Sequence, residues 1–315
     1  MRCQKKVFRG ILFLFTTVIL LACTACAGKE ENVTKVEKKD YRVIITSDVH
    51  CTTLNEWYGV SVQDRMQLWV DAILAEHKEK PIDLIIINGD VSLDHREAGG
   101  GGAVVTKGIS ETEFFMENYV SQLPEDAPVI VLPGNHEQYE EEEWQKLTGN
   151  SRSETYVLGN NLFIMPDSFG KHLNPSFNHS GYYTPFDVDY LQELVDQYPE
   201  HNVYIISHYI DMAEQGSQFV EFLEKNENVI GLFSGHTHEA KNLEGNVYKG
   251  RVLAQTGNFA EAKAGDKENN FWGFRDLTIT AEHASSKYIS VECDATIDGE
   301  QIHFERKELH LIEYY

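Results

Sequence analysis

The sequence predicts an α/β fold, on three observations. Five short apolar runs, at residues 43–45, 84–87, 129–132, 203–206 and 229–233, have the length and unbroken hydrophobicity of strands buried on both faces of a parallel sheet. Segments of helical character, at 62–77, 111–122, 137–147, 188–198 and 218–225, lie between or beside these runs, so strand and helix alternate. A polar motif then follows each run directly: Asp48-Val49-His50, Gly89-Asp90, Gly134-Asn135-His136-Glu137, Ser207-His208 and Gly235-His236-Thr237-His238. Ligands of open α/β sheets gather beyond the carboxyl ends of the strands, so five such motifs can converge on one crevice.

A hairpin interrupts the alternation, with strands at 154–158 and 162–165 joined through Gly159-Asn160-Asn161. After about Gly250 the pattern changes to residues two apart, Leu277 with Ile279, Ile289 with Val291 and Ile302 with Phe304, as in strands with one buried face. The acidic run Glu140 to Glu143 reads as the exposed start of a helix, and Glu137 as a helix-start acid favoured by the dipole. Four consecutive glycines, Gly99 to Gly102, cannot hold regular structure cheaply; they read either as a surface loop or as a flap beside the site. No internal repeat or linker divides residues 41–315, which read as one domain.

The N-terminus stands apart. Arg2, Lys5, Lys6 and Arg9 precede a nearly continuous apolar stretch from Ile11 to Leu21, and small residues follow, the pattern of a secretory signal over residues 1–22. The stretch is shorter than the roughly 20 residues of a spanning helix, which sets an uncleaved anchor below cleavage. Leu20-Leu21-Ala22-Cys23 is similar to the lipobox of bacterial lipoproteins, which implies lipidation at Cys23 and an extracytoplasmic domain anchored to the cell membrane by lipid. Plain secretion is the remaining alternative. Residues 23–40, rich in Lys, Glu and Asn, suit a solvated tether.

Removing residues 1–22, which carry four of the 27 Lys and Arg and none of the 50 Asp and Glu, takes the net charge from −23 to −27. Such a surface repels polyanions and sets nucleic acid polymers aside as partners; no protein partner is expected. Cys23 and Cys26 have redox spacing, but at a signal cleavage site; Cys51 and Cys293 are left as a pair that export would allow to join.

The five motifs offer at least four histidine nitrogens with two aspartates and an asparagine. That mixture suits manganese, iron or zinc, whereas calcium and magnesium sites lean on oxygen. Two such ions, about 3.5 to 4 Å apart, need a bridging carboxylate, for which Asp90 is the candidate. Each motif alone is weak; in order, each behind a strand, they form a strong signal. His77, His95, His172, His179, His201, His283, His303 and His310 read as packing or surface residues.

These motifs resemble those of the calcineurin-like metallophosphoesterase superfamily, over roughly residues 41–260. The resemblance implies two facing mixed β-sheets flanked by helices, an α/β/β/α sandwich of the metallo-dependent phosphatase type, with the later alternating strands completing the second sheet. It implies one metal on Asp48, His50, Asp90 and His238 and another on Asp90, Asn135, His208 and His236. His136 becomes the catalytic non-ligand histidine, and the chemistry an in-line attack of a metal-bound hydroxide on the phosphorus of a monoester or diester. Leu93 stands where purple acid phosphatases carry a metal-binding tyrosine, and Gly-Asp-Val-Ser-Leu-Asp-His departs from the serine/threonine phosphoprotein phosphatase block. About 60 residues after the core leave no room for the substrate domain of the 5′-nucleotidases. Small extracytoplasmic organophosphates are the expected substrates, with Trp57, Tyr58, Tyr139, Tyr182, Tyr183 and Tyr209 either lining a cleft or packing. The rival reading is a non-catalytic metal-binding surface lipoprotein on the same scaffold.

Overall fold

Apolar runs without a polar face demand cover on both sides, and the computed structural model supplies it. It describes residues 40–95, 110–173, 181–262, 272–297 and 299–314. The signal segment, Cys23, the tether up to residue 39 and the Gly99 to Gly102 run lie outside these described residues. In chain order the strands are β1 (Tyr41–Thr46), β2 (Glu56–Trp57), β3 (Val60–Ser61), β4 (Leu84–Asn88), β5 (Val129–Leu132), β6 (Glu154–Leu158), β7 (Asn161–Met165) and β8 (Asn202–Ser207). Then come β9 (Val229–Ser234), β10 (Asn242–Leu243), β11 (Leu253–Gln255), β12 (Gly273–Ile279), β13 (Ala284–Ser290), β14 (Cys293–Ile297), β15 (Glu300–Phe304) and β16 (Glu308–Tyr314). The helices are α1 (Val62–Glu79), α2 (Glu111–Asn118), α3 (Glu141–Thr148), α4 (Val188–Gln197) and α5 (Met212–Lys225).

Two six-stranded sheets dominate, in the orders β16-β13-β12-β1-β4-β5 and β10-β11-β9-β8-β7-β6. Both are mixed. In the first, β1, β4 and β5 run parallel while β12 joins β1 antiparallel. In the second, β7, β8, β9 and β11 are parallel, flanked by antiparallel β6 and β10.

Strand pleating explains the layers. Val43 and Ile45 of β1, Leu84 and Ile86 of β4 and Ile130 and Leu132 of β5 pack with Phe163, Met165, Tyr204, Ile206 and Phe233 of the other sheet, forming the core between the sheets. The alternate residues Ile44, Ile85, Ile87 and Val131 face outward onto Met66, Trp69, Val70 and Ile73 of α1 and Phe115 of α2. On the far side Leu162, Val203, Ile205 and Leu232 meet Leu191 of α4 and Phe219, Phe222 and Leu223 of α5. The result is the α/β/β/α sandwich, and it places the ends of β1, β4, β5, β8 and β9 together.

Helix starts follow ordinary capping chemistry. Ser61 accepts from the Asp64 amide, Ser110 from Glu113, Asp187 from Tyr190, and Asp211 from Ala213 and Glu214. Three boundaries differ from expectation. The helix at 137–147 begins only at Glu141, because residues 134–139 are buried as a loop. The segment at 111–122 breaks after Asn118 into a 3-10 turn, Val120–Gln122. The expected helix at 218–225 extends back to Met212, across a non-helical Gly216 at φ 70°.

The late strands correct the expectation that they complete the second sheet. β12, β13 and β16 extend the first, while β14 and β15 form, among the described residues, a two-stranded sheet of their own. The free side of β1 is what they occupy; in the second sheet β11 already covers β9 and β6 covers β7. A buried ion pair helps fix this pairing, with Arg42 on β1 reaching Asp276 on β12 at 2.9 Å and Glu76 of α1 as well. Cys51 and Cys293 are both free thiols.

Candidate metal centre

Five strand ends deliver the polar motifs to one place, and the backbone there is unusual. Asp48, His50, Asp90, His236 and His238 all have positive φ, between 43° and 70°. They are five of the eight such non-glycine residues among those described. Left-handed backbone costs a side-chain-bearing residue on the order of 1–3 kcal/mol and persists where surrounding structure imposes it, typically at functional sites. Here it turns side chains sharply inward just beyond β1, β4 and β9.

The side chains meet around Asp90. Its Oδ2 lies 3.6 Å from His50 Nε2, 3.2 Å from His208 Nε2 and 3.5 Å from His136 Nε2. On one flank His238 Nε2 is 3.4 Å from Asp48 Oδ1. On the other, Asn135 Oδ1 stands 3.1 Å from His208 Nε2 and 2.8 Å from His236 Nδ1. Three groups therefore hold donor atoms within 4.8 Å of one another and could each hold a metal ion: Asp48 with His50 and His238, Asp90 with His208 and His236, and His50 with Asp90 and His136. All the sequence-selected metal candidates, Asp48, His50, Asp90, Asn135, His208, His236 and His238, are in this cluster. His136, singled out as a non-ligand, stands as close to Asp90 as His50 does.

The donor set fits divalent transition ions. Asp48 Oδ1 and both ring nitrogens of His50 are buried without a hydrogen-bond partner, an arrangement that burial of polar atoms penalises unless a cation completes it. His208 is oriented from behind by the Asn88 carbonyl, 2.9 Å from its Nδ1. Such a contact fixes the tautomer and turns Nε2 toward the cluster.

Several residues that build the centre are not candidate ligands. Glu137 is fully buried and accepts from the backbone amides of Asp90, Ser92 and Gly134 at 3.0, 2.9 and 2.7 Å. It ties the loop after β5 to the loop after β4, which replaces its expected place at a helix start. Arg65, from α1, donates to the carbonyls of Val49, His50 and Phe259, gripping the loop after β1. Gly134 must lack a side chain, because a Cβ there would come within 2.2 Å of Asp90 Oδ1. Gly89, at φ 81°, is likewise closed by His208, 2.5 Å from any added Cβ.

Charge in the cluster is strongly coupled to burial. Desolvation would raise Asp90, but the charges of His136 and His208 and the closeness of the His208 and His50 rings hold its carboxyl well below the usual range. Burial pushes His50 down to about 3. Burial also opposes protonation of His208 and His238, yet Asp90 and Asp48 lift His208 to about 9, and Asp48 with Glu261 lifts His238 to about 10. Burial, then the charge of Asp90, raises Glu137 to about 8.

Of the six aromatic candidates, three border the cluster. Tyr58 lies 6.0 Å from the His50 ring and 6.3 Å from His238, and Tyr209 lies 4.5 Å from His236 with Tyr183 behind it at 5.4 Å. Trp57 packs on Tyr58, Tyr139 is buried against Asp94 and Ser110, and Tyr182 is exposed. Phe169, not selected from sequence, closes the wall behind His208 and His236 at 5.8 and 6.0 Å. Leu93 is fully buried.

The model of the calcineurin-like phosphoesterase family matches residues 41–240, the span holding every side chain of the cluster. The chain belongs to the calcineurin-like phosphoesterase family. It is 25% identical over 215 residues to a probable cyclic nucleotide phosphodiesterase of Pseudoalteromonas sp. (strain SM9913), covering 64% of this chain and 73% of that one. Among solved structures, PhoD aligns with a TM-score of 0.54 at 10% identity, over 86% of this chain and 69% of that chain. GAP50, the anchor in the inner membrane complex of Plasmodium, aligns at 0.51 and 14% identity, over 87% and 90%. These two likenesses concern the phosphoesterase fold.

Glu137→Ala should test the staple between the two loops. Three backbone amides lose their acceptor, at about 1–3 kcal/mol for each buried group left unsatisfied. Urea denaturation is expected to show a loss of several kcal/mol, with weakened manganese uptake; wild-type stability would mean that the loops hold Asp90 without it.

Proposed function

We propose that this phosphoesterase hydrolyses a phosphodiester of a small extracytoplasmic organophosphate with two divalent transition-metal ions, of manganese, iron or zinc. The observation that carries the reading is the meeting of seven nitrogen- and oxygen-bearing side chains from five strand ends around one buried carboxylate, inside the family match. When bound, the ion pair supplies water activated at neutral pH and neutralises charge developing on phosphorus.

Asp48, His50, Asp90 and His238 would hold one ion, and Asp90, Asn135, His208 and His236 the other. Asp90 suits the shared position because its Oδ2 stands between His50 and His208. His136, beside Asp90, delivers a proton to the leaving oxygen as water adds to phosphorus and the ester P–O bond opposite it breaks. Left-handed backbone and the Glu137 and Arg65 contacts fix these positions before substrate arrives, so little reorganisation opposes the reaction.

A diester is favoured over a monoester. Among the described residues, the guanidinium groups that contact the loops of the site are engaged in structure: Arg65 donates to three loop carbonyls, and Arg152 to the carbonyls of Glu137 and Tyr139 and to Asp167. A substrate with a single phosphate charge suits a site whose cationic groups are spent in this way. The name of the Pseudoalteromonas relative supports the same choice. Tyr58 and Tyr209 offer faces at opposite flanks on which a planar substituent stacks. Location outside the cytoplasm, with lipid on Cys23, is part of the proposal and rests on the sequence of residues 1–23. The alternative of a non-catalytic metal-binding lipoprotein gains nothing from the site, which retains every candidate ligand and His136.

The assay is hydrolysis of bis-p-nitrophenyl phosphate and p-nitrophenyl phosphate by purified protein with added manganese, zinc or iron. Faster diester turnover is expected; two ions bound without turnover of either compound would favour the non-catalytic reading. Asp90→Ala should abolish metal uptake and activity together, whereas His136→Ala should keep both ions and slow turnover by about 10²- to 10⁴-fold. Loss of an ion from His136→Ala would instead make His136 a ligand.

Metal uptake should also depend on pH in a defined direction. With His208 raised to about 9 and His238 to about 10, both are protonated at pH 7 in the metal-free protein and must deprotonate to bind an ion. Apparent manganese affinity is therefore expected to rise from pH 6 to pH 9. Calorimetry at pH 7 in two buffers of different ionisation enthalpy should record proton release, and its absence would contradict the assignment of these two histidines.

A further inference from the structure

We infer that Glu261 is a positioning residue for the metal centre, orienting His238 from behind so that its Nε2 faces the ion. This rests on the two-metal reading above, and Glu261 lies beyond residues 41–240, where the family match falls.

His238 is held at both ring nitrogens. Its Nε2 points to Asp48 Oδ1 at 3.4 Å, and its Nδ1 lies 3.3 Å from Glu261 Oε1. A carboxylate on the far nitrogen fixes the tautomer with the proton on Nδ1, turns the ring and makes the near nitrogen a stronger donor. The other candidate ligands are supported differently. His208 is held from behind by a backbone carbonyl, that of Asn88, while His236 directs Nδ1 at Asn135. Among the described contacts, His238 alone in the cluster has a carboxylate on its far nitrogen.

The segment that carries Glu261 is built to place it there. Asn258 is fully buried, and its Oδ1 accepts from the amides of Ala260 at 2.9 Å and Glu261 at 2.7 Å. Its Nδ2 donates to the carbonyl of His238 at 2.9 Å, so one side chain locks the turn bearing Glu261 to the residue that Glu261 orients. The adjacent Phe259 amide donates to the carbonyl of Asp48 at 3.1 Å, and the Phe259 carbonyl accepts from Arg65. Residues 258–261 are thus fastened to both residues flanking the same ion position, Asp48 and His238. A carboxylate introduced only for solubility would need none of these attachments. Glu261 touches neither phosphorus nor ion in this arrangement; it acts through His238.

The test is manganese(II) binding to the full chain, wild type against Glu261→Ala and Glu261→Gln, by calorimetry and by metal content after dialysis. Wild type should bind two ions. Glu261→Ala should lose about 10- to 100-fold in affinity at one of the two sites while the other is unchanged, the range typical for removing an outer partner of a metal histidine. Glu261→Gln keeps an acceptor of the same shape and should lie between the two. Thermal unfolding of the metal-free variants is expected to fall only by the loss of the His238–Glu261 pair, with the second ion site unaffected, which separates orientation of a ligand from general stability. Two undiminished sites in Glu261→Ala overturn this inference while leaving the two-metal reading intact; equal weakening of both sites overturns it as well. Failure of the wild type to bind two ions overturns the two-metal reading first and this inference with it.

Discussion

The structure turns on a buried carboxylate that has no reason to be buried by itself. Asp90 is almost fully enclosed, surrounded by His50, His136 and His208 within 3.6 Å of one oxygen. Taking such a charge out of water costs several kcal/mol unless other charges and donors repay it. Imidazoles repay part of that cost, and the orphaned atoms of Asp48 and His50 show that protein groups alone leave the account of polar contacts incomplete. The proposed pair of cations would complete it. In the metal-free protein, protons on His208 and His238 play the same electrostatic part, which couples ion binding to proton loss.

Holding these charges together falls to the backbone and to residues outside the cluster. Five residues with positive φ are imposed at the ends of β1, β4 and β9, within a sandwich packed on both faces, so the sandwich supplies the rigidity that the loops need. Glu137 joins the β4 and β5 loops, Arg65 anchors the β1 loop to α1, and Asn258 joins the segment before β12 to His238. Each contact ties main chain to a buried side chain. That is the arrangement expected where positions must be kept to a fraction of an ångström without help from a bound substrate.

Much of this was legible in the chain because it depends on local pattern. Runs such as 84–87 reveal buried parallel strands by lacking a polar face, and the histidines and aspartates that follow them are conspicuous by type and order. Less legible was anything decided by partners far along the chain. Glu137 looks like a helix-start acid, since nothing local shows that amides of Asp90 and Ser92 will converge on it. Arg65 and Glu261 look like ordinary surface charges on a helix and a loop. The strands after Gly250 were recognisable by alternation, yet period alone does not say which sheet has a free edge; the Arg42 to Asp276 pair, 234 residues apart, helps settle that. A sharper signal did exist for Gly134: a glycine beside metal-type residues often marks a place where another side chain comes too close for a Cβ.

Anomalous diffraction from crystals grown with manganese tests the central claim most directly. Two peaks are expected, about 3.5 to 4 Å apart, on either side of the Asp90 carboxylate. One of them should touch Asp48, His50 and His238, and the other Asn135, His208 and His236. A single peak, or peaks away from Asp90, would contradict that claim.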